Sequence, residues 1–153
     1  MDPRMYLFVN EGLDMSPGKI AAQAAHAAVE AYRLTPETSN VLRMWYCGNH
    51  YAKYVMSARS SEHLRDIERY LNDRGFKTAL IIDEGHTEID PIQPTALGVE
   101  LVDRDNAHVA ATFSSFSLLR QPRPSQDPQR SRARKARLRN WRPKMDKRVR
   151  SCG

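Results

Sequence analysis

At 153 residues and 41% hydrophobic, the chain has material for one domain with a real core. Its first apolar run is five residues, too short for a signal peptide, and no stretch is long enough to span a bilayer, which predicts a cytoplasmic protein. The charge of +6 is unevenly divided: 13 of the 24 Lys/Arg but two of the 18 Asp/Glu fall in residues 120–153, giving that segment +11 and residues 1–119 −5.

In chain order, Met5-Tyr-Leu-Phe-Val9 reads as a strand. After a polar loop, Ser16 suits an N-cap and Pro17 the first helical position, so a helix should run to about Arg33. Inside it, Lys19, Gln23 and His26 are the side chains with chemistry in a field of alanine. At about 100° per residue they fall at roughly 0°, 40° and 340°, a stripe narrow enough for the wall of a site. Lys19 in the first turn, beside free backbone N–H groups, would make an anion pocket. The alternative is a solvated face with ordinary surface polar groups.

Residues 35–40 are a turn signal, and residues 41–46 a short apolar run able to extend a second helix. Residues 51–56 read as a strand. Residues 61–74 place Leu64, Ile67 and Leu71 at helical spacing, with Ser61 as cap and Gly75 just past the end. Residues 78–82 form a continuous apolar run, typical of a strand buried on both faces. Residues 95–102 predict a final strand and residues 106–116 a last helix, with no internal repeat.

This alternation predicts an α/β fold with right-handed crossovers and a sheet covered on both faces. In such sheets chemistry gathers beyond the carboxyl ends of parallel strands, so loops 10–19 and 83–87 should meet. Asp83 should emerge at a strand tip, where burial tunes a carboxyl; a turn or capping aspartate is the alternative. Gly12 to Lys19 fails as a nucleotide phosphate loop. Five residues separate Gly12 from Gly18 instead of four, Ile20 stands where a magnesium-binding Ser/Thr is needed, and Pro17 removes an N–H. Cys47 and Cys152 share no metal-ligand spacing and frame no disulfide scaffold, and the histidines at 26, 50, 63, 86 and 108 are scattered, so no metal or cofactor is expected.

Gly18-Lys19-Ile-Ala-Ala-Gln23-Ala-Ala-His26-Ala, then Ile82-Asp83-Glu-Gly85-His-Thr87-Glu-Ile89-Asp-Pro91, then Thr95-Ala-Leu-Gly98, together resemble the archaeal and eukaryotic type (type 2) of peptidyl-tRNA hydrolase. The resemblance runs in the right order over residues 5–118. It implies a single compact α/β domain over residues 1–119, with a small mixed, mostly parallel sheet and helices on both faces. It also implies hydrolysis of the ester joining a peptide to the 3′ end of tRNA. The family's functional positions carry over as Lys19, His26, Asp83 and Thr87 for catalysis and Gln23 and Thr95 for substrate binding. There are departures: Asn10 replaces a usual basic residue, Glu88 a usual glutamine, Ile92-Gln93 a glycine turn and Glu100-Leu-Val a Gly-Pro loop. These spare the catalytic groups and bear on acceptor-stem contacts, hence on substrate preference more than on fold.

Ester cleavage needs an activated water, charge stabilisation for a tetrahedral oxyanion and a hold on the terminal adenosine. Asp83 can take a proton from water or orient a histidine, and His26 is the other candidate base; the residues leave the choice open. Lys19 can stabilise the oxyanion or grip a phosphate, and the hydroxyls of Thr87 and Thr95 can position water or the ribose. The chemistry requires neither a covalent nucleophile nor a metal.

The tail, residues 120–153, opens with a proline-rich linker at 121–128 and continues as a basic segment whose one aromatic is Trp141. It lacks the apolar surface to fold alone, but residues 131–140 can turn helical on a polyanion. Arg132, Arg134, Lys135, Arg137 and Arg139 are its candidate tRNA contacts, neutralising phosphates without reading bases. The expected partners are peptidyl-tRNA and, through the tail, other nucleic acid, with no membrane and a homodimer left open. The rival readings are a non-catalytic tRNA- or RNA-binding module of the same fold, and an interaction protein whose tail grips acidic partners. A carboxylate beside a phosphate site would repel RNA, which favours the enzyme.

Overall fold

A computed structural model describes residues 1–83 and 92–120; Thr87 and the tail residues Arg132, Arg134, Lys135, Arg137 and Arg139 lie outside the described residues. The elements are β1 (Pro3–Asn10), α1 (Pro17–Leu34), α2 (Asn40–Cys47), β2 (Lys53–Ala58), α3 (Ser61–Asn72), β3 (Thr78–Asp83), β4 (Gln93–Val99), β5 (Val102–Asp103) and α4 (Ala107–Phe113).

β1 is apolar from Met5 to Val9 because both of its faces are covered. Met5, Leu7 and Val9 pack with Ala27 and Ala31 of α1 and Leu42 and Trp45 of α2. Tyr6 and Phe8 point the other way, into Leu64, Ile67 and Leu71 of α3 and Val109 and Phe113 of α4. The field of alanine in α1 has a packing cause. Gly98 of β4 lies so close to the helix that a Cβ there would sit 2.2 Å from the Ala27 carbonyl oxygen, an approach only small residues allow.

The strand order is β2-β1-β4-β3, with β5 paired to the start of β1. The sheet is mixed and has helices on both faces, as expected, but its parallel share is smaller than expected. β1 and β2 pair in parallel, while β1·β4, β3·β4 and β1·β5 are antiparallel. The cause is β4, which lies between β3 and β1 and runs antiparallel to both. β1, β2 and β3 still run in one direction, so their carboxyl ends share one edge of the sheet.

β3, expected as a strand buried on both faces, is the last strand of that order, and its Ile82 is 48% exposed. Its apolar run reflects two covered faces: Leu80 packs against the α3 side and Ile81 against the α1 side. Serine and asparagine caps start the four helices, as Ser16 accepts from Lys19 N, Ser39 from Val41 N, Ser60 from His63 N and Asn106 from His108 N. The α3 cap is thus one residue earlier than expected, which leaves Ser61 to turn toward β4. Gly75, at φ +84°, follows α3 as a stop in the left-handed region. The strand expected over residues 95–102 breaks at Glu100, whose N–H donates to Lys77 O and whose Oε1 accepts from Lys77 N.

Candidate functional site

Lys19, Gln23, Asp83 and Thr95 converge where the carboxyl ends of β1 and β3 approach the first turns of α1; of the loop expected at 83–87 to meet loop 10–19, residues 84–87 lie outside the described residues. Asp83 ends β3 with its carboxylate buried, and Lys19 reaches it from α1 to form an ion pair through Oδ2. Gln23, one turn along α1, donates from Nε2 to the same Oδ2 at 3.1 Å. Behind it, Thr95 donates its hydroxyl to Gln23 Oε1 at 2.6 Å, with Ile81 O a longer contact at 3.3 Å. The carboxylate can only accept, so it fixes which end of the Gln23 amide faces it, and Thr95 locks that orientation from the far side.

A kink in β4 aims Thr95. Ile82 pairs with Pro94 and Ile81 with Ala96, which leaves Thr95 as the extra residue of a β-bulge. Pro94 fits there because it has no ladder N–H to lose. Its carbonyl accepts from Asn10 Nδ2 at 3.2 Å and from Ser61 Oγ at 3.0 Å, tying the ends of β1 and β4 to the start of α3. Asn10 also donates to Ser61 Oγ and accepts from Gly12 N, so this fully buried side chain holds the loop entering α1. Asn10, Ser61 and Gln93, whose Oε1 lies 3.0 Å from Ser61 Oγ, form a supporting layer that sequence reasoning missed. The available signal was a polar residue closing an otherwise apolar central strand.

The other expected residues fall differently. Gln23 and Thr95, expected as substrate contacts, are buried and bonded to each other, so their geometry is that of residues that position Asp83. His26 is exposed. The buried line of α1 runs through Gln23, Ala27 and Ala31, and His26 lies about 100° round the helix from Ala27 at its centre. Lys19 is on the same flank, but its longer stem lets the ammonium fold back to Asp83. The expected anion pocket is therefore occupied by a carboxylate of the chain itself, and Ser16 Oγ caps one of its N–H groups, that of Lys19, at 3.1 Å.

Fold and site together define a small mixed α/β domain with a half-buried lysine paired to a buried aspartate at the strand carboxyl ends. The family described as Peptidyl-tRNA hydrolase PTH2 matches residues 3–119, and the chain belongs to this family. It is 39% identical over 113 residues to Peptidyl-tRNA hydrolase 2, mitochondrial, of Mus musculus, covering 69% of this chain and 61% of that protein. Identity to the protein of the same name in Homo sapiens is 35% over 113 residues, covering 69% and 62%. Peptidyl-tRNA hydrolase of Pyrobaculum aerophilum is 37% identical over 112 residues, covering 68% and 92%. The chain thus spans less than two thirds of the mammalian relatives' length. Those relatives are named mitochondrial, so the expected cytoplasmic location is not a property of all the proteins it resembles. Among the described residues no helix is long and apolar enough to cross a membrane.

Proposed function

We propose that the chain hydrolyses the ester between a peptide, or an N-blocked amino acid, and the 3′ end of tRNA, using water directly and no metal. The observation that carries this reading is the ion pair of Lys19 with the buried Asp83, held by Gln23 and Thr95 where β1 and β3 end. Family membership and the names of the relatives supply the substrate class.

Asp83 is the proton acceptor in this mechanism, because Gln23 and Thr95 hold its carboxylate in one orientation. As water attacks the ester carbonyl, its proton passes to Asp83 and cancels the carboxylate charge. The field of Lys19 then falls on the oxyanion, an interaction that strengthens only as the transition state forms. When the tetrahedral intermediate collapses, the ester C–O bond breaks and Asp83 returns that proton to the departing ribose 3′-oxygen. Thr87 is the hydroxyl that positions water or the terminal ribose, and His26, exposed on the flank of α1, is a contact for the acceptor end. Residues 1–119 form the hydrolytic domain, and residues 120–153 a basic tail whose Arg132, Arg134, Lys135, Arg137 and Arg139 neutralise RNA phosphates.

Incubation with N-acetyl-aminoacyl-tRNA, with free aminoacyl-tRNA as the control, tests the reading. Release of the N-acetyl amino acid, undiminished by EDTA, is expected. Tight binding with no release would identify a binding module instead, and activity lost in EDTA and restored by a divalent ion would overturn the metal-free mechanism.

A further inference from the structure

The sheet face opposite α1 carries a cavity of about 440 Å³ whose lining includes Tyr6, Tyr54, Met56, Arg104, Phe113 and Leu118. It shares no residue with the Lys19–Asp83 site. Tyr6, on β1, is only 7% exposed, and its ring is fixed by stacking on Phe113 with centroids 4.1 Å apart and planes 12° from parallel. Its hydroxyl has no hydrogen-bond partner among the described residues. The hydroxyl is not sealed from solvent, so it is free to donate to an acceptor that enters the cavity.

Two other polar groups around the cavity have partners within the chain. Tyr54 accepts from Arg4, which also pairs with Asp2, and Ser114 Oγ donates to Ala111 O. Arg104 is different: it lies at the rim with its side chain 59% exposed, and its one ion pair, to Asp2, is loose at 3.8 Å. Burial raises the pKa of the Tyr6 hydroxyl while the Arg104 and Arg4 charges lower it, so both guanidinium groups act on the hydroxyl's position.

We propose that this cavity binds a small carboxylic acid with a planar apolar body. The carboxylate bridges the Tyr6 hydroxyl and the Arg104 fork, and the body lies among Met56, Phe113 and Leu118. The volume is ordinary for a small-molecule site. A phosphate dianion fits less well, because Asp2 faces Arg104 and Asp103 and Asp105 flank it in the chain.

Indole-3-acetate is a suitable probe, titrated into the full-length protein by amide NMR beside neutral indole-3-acetamide. Saturable shifts at cavity residues with a dissociation constant below about 1 mM are expected for the acid, with the amide at least about tenfold weaker. Tyr6→Phe keeps the stacked ring and should weaken the acid about three- to tenfold, while Arg104→Ala should erase the preference for acid over amide. No saturable shift, equal binding of acid and amide, or wild-type affinity in Tyr6→Phe would each overturn the proposal. Should Tyr6→Phe not fold, Arg104→Ala, at an exposed side chain, decides alone. Hydrolysis of N-acetyl-aminoacyl-tRNA should be unchanged in both variants, which separates this site from the one on α1.

Discussion

Thr95→Val probes the layer behind Asp83 while nearly preserving shape. Valine suits a strand and fills the same volume, but it removes the hydroxyl that reaches Gln23 Oε1 at 2.6 Å. Thr95 is fully buried and Gln23 5% exposed, so water cannot replace the lost donor. An acceptor left unsatisfied in such a place costs about 1–3 kcal/mol. Urea unfolding should therefore show a stability loss of that size at an unchanged m-value. The Gln23 amide would also lose the constraint that aims it at Asp83, and turnover at saturating substrate should fall roughly ten- to a hundredfold. Thr95→Ser keeps the hydroxyl and should retain most of the turnover despite losing a methyl group. A Thr95→Val protein with wild-type stability and turnover, or a Thr95→Ser protein as slow as the valine variant, would refute the positioning role.

Three other outcomes follow from the same geometry. Gly98→Ala should lower stability by about 1–3 kcal/mol in urea unfolding and slow hydrolysis, because the new Cβ would strike the Ala27 carbonyl and lift α1, with Lys19 and Gln23, off the sheet. The Asp2 carboxyl is held below the usual carboxylate range, chiefly by the hydrogen bond from Arg4 and also by its charge, against burial. Its stabilising effect is thus present above the unfolded-state value of about 3.9 and is lost as pH falls through the lower folded-state value, so the gap in urea midpoint between wild type and Asp2→Asn should close in acid. Removing residues 121–153 should weaken tRNA binding and flatten its salt dependence, since each lost phosphate contact takes about 0.7–0.9 from the slope of log affinity against log salt. Saturated turnover should stay near wild type in that truncation.

Much of this arrangement is legible in the sequence, and the exceptions have identifiable causes. Lys19 and Asp83 could be placed together because a capped helix after one strand and the tip of another both point to one edge of the sheet. Strand direction preserved that meeting even though β4 made the pairing more antiparallel than expected. The role of Thr95 was hidden because a bulge, visible only in the register against Ile81 and Ile82, turns it toward Gln23. His26 was grouped with Lys19 and Gln23 by angle alone. The buried line of α1 is centred on Ala27, and that centre depends on Gly98, a contact 71 residues away in the chain. Asn10 was read only as a departure bearing on acceptor-stem contacts, and its supporting role was hidden because its partners, Ser61 and Pro94 O, come from distant elements.

The most direct test of the central claim is the rate of N-acetyl-aminoacyl-tRNA hydrolysis by Asp83→Asn and Lys19→Ala under single-turnover conditions, with folding checked by circular dichroism. Asn keeps an oxygen for Gln23 Nε2 but cannot take the water's proton, and Ala removes the cation that meets the oxyanion. Each variant should remain folded and lose at least ~100-fold in rate. A folded variant that hydrolyses the ester near the wild-type rate would contradict the mechanism built on this pair.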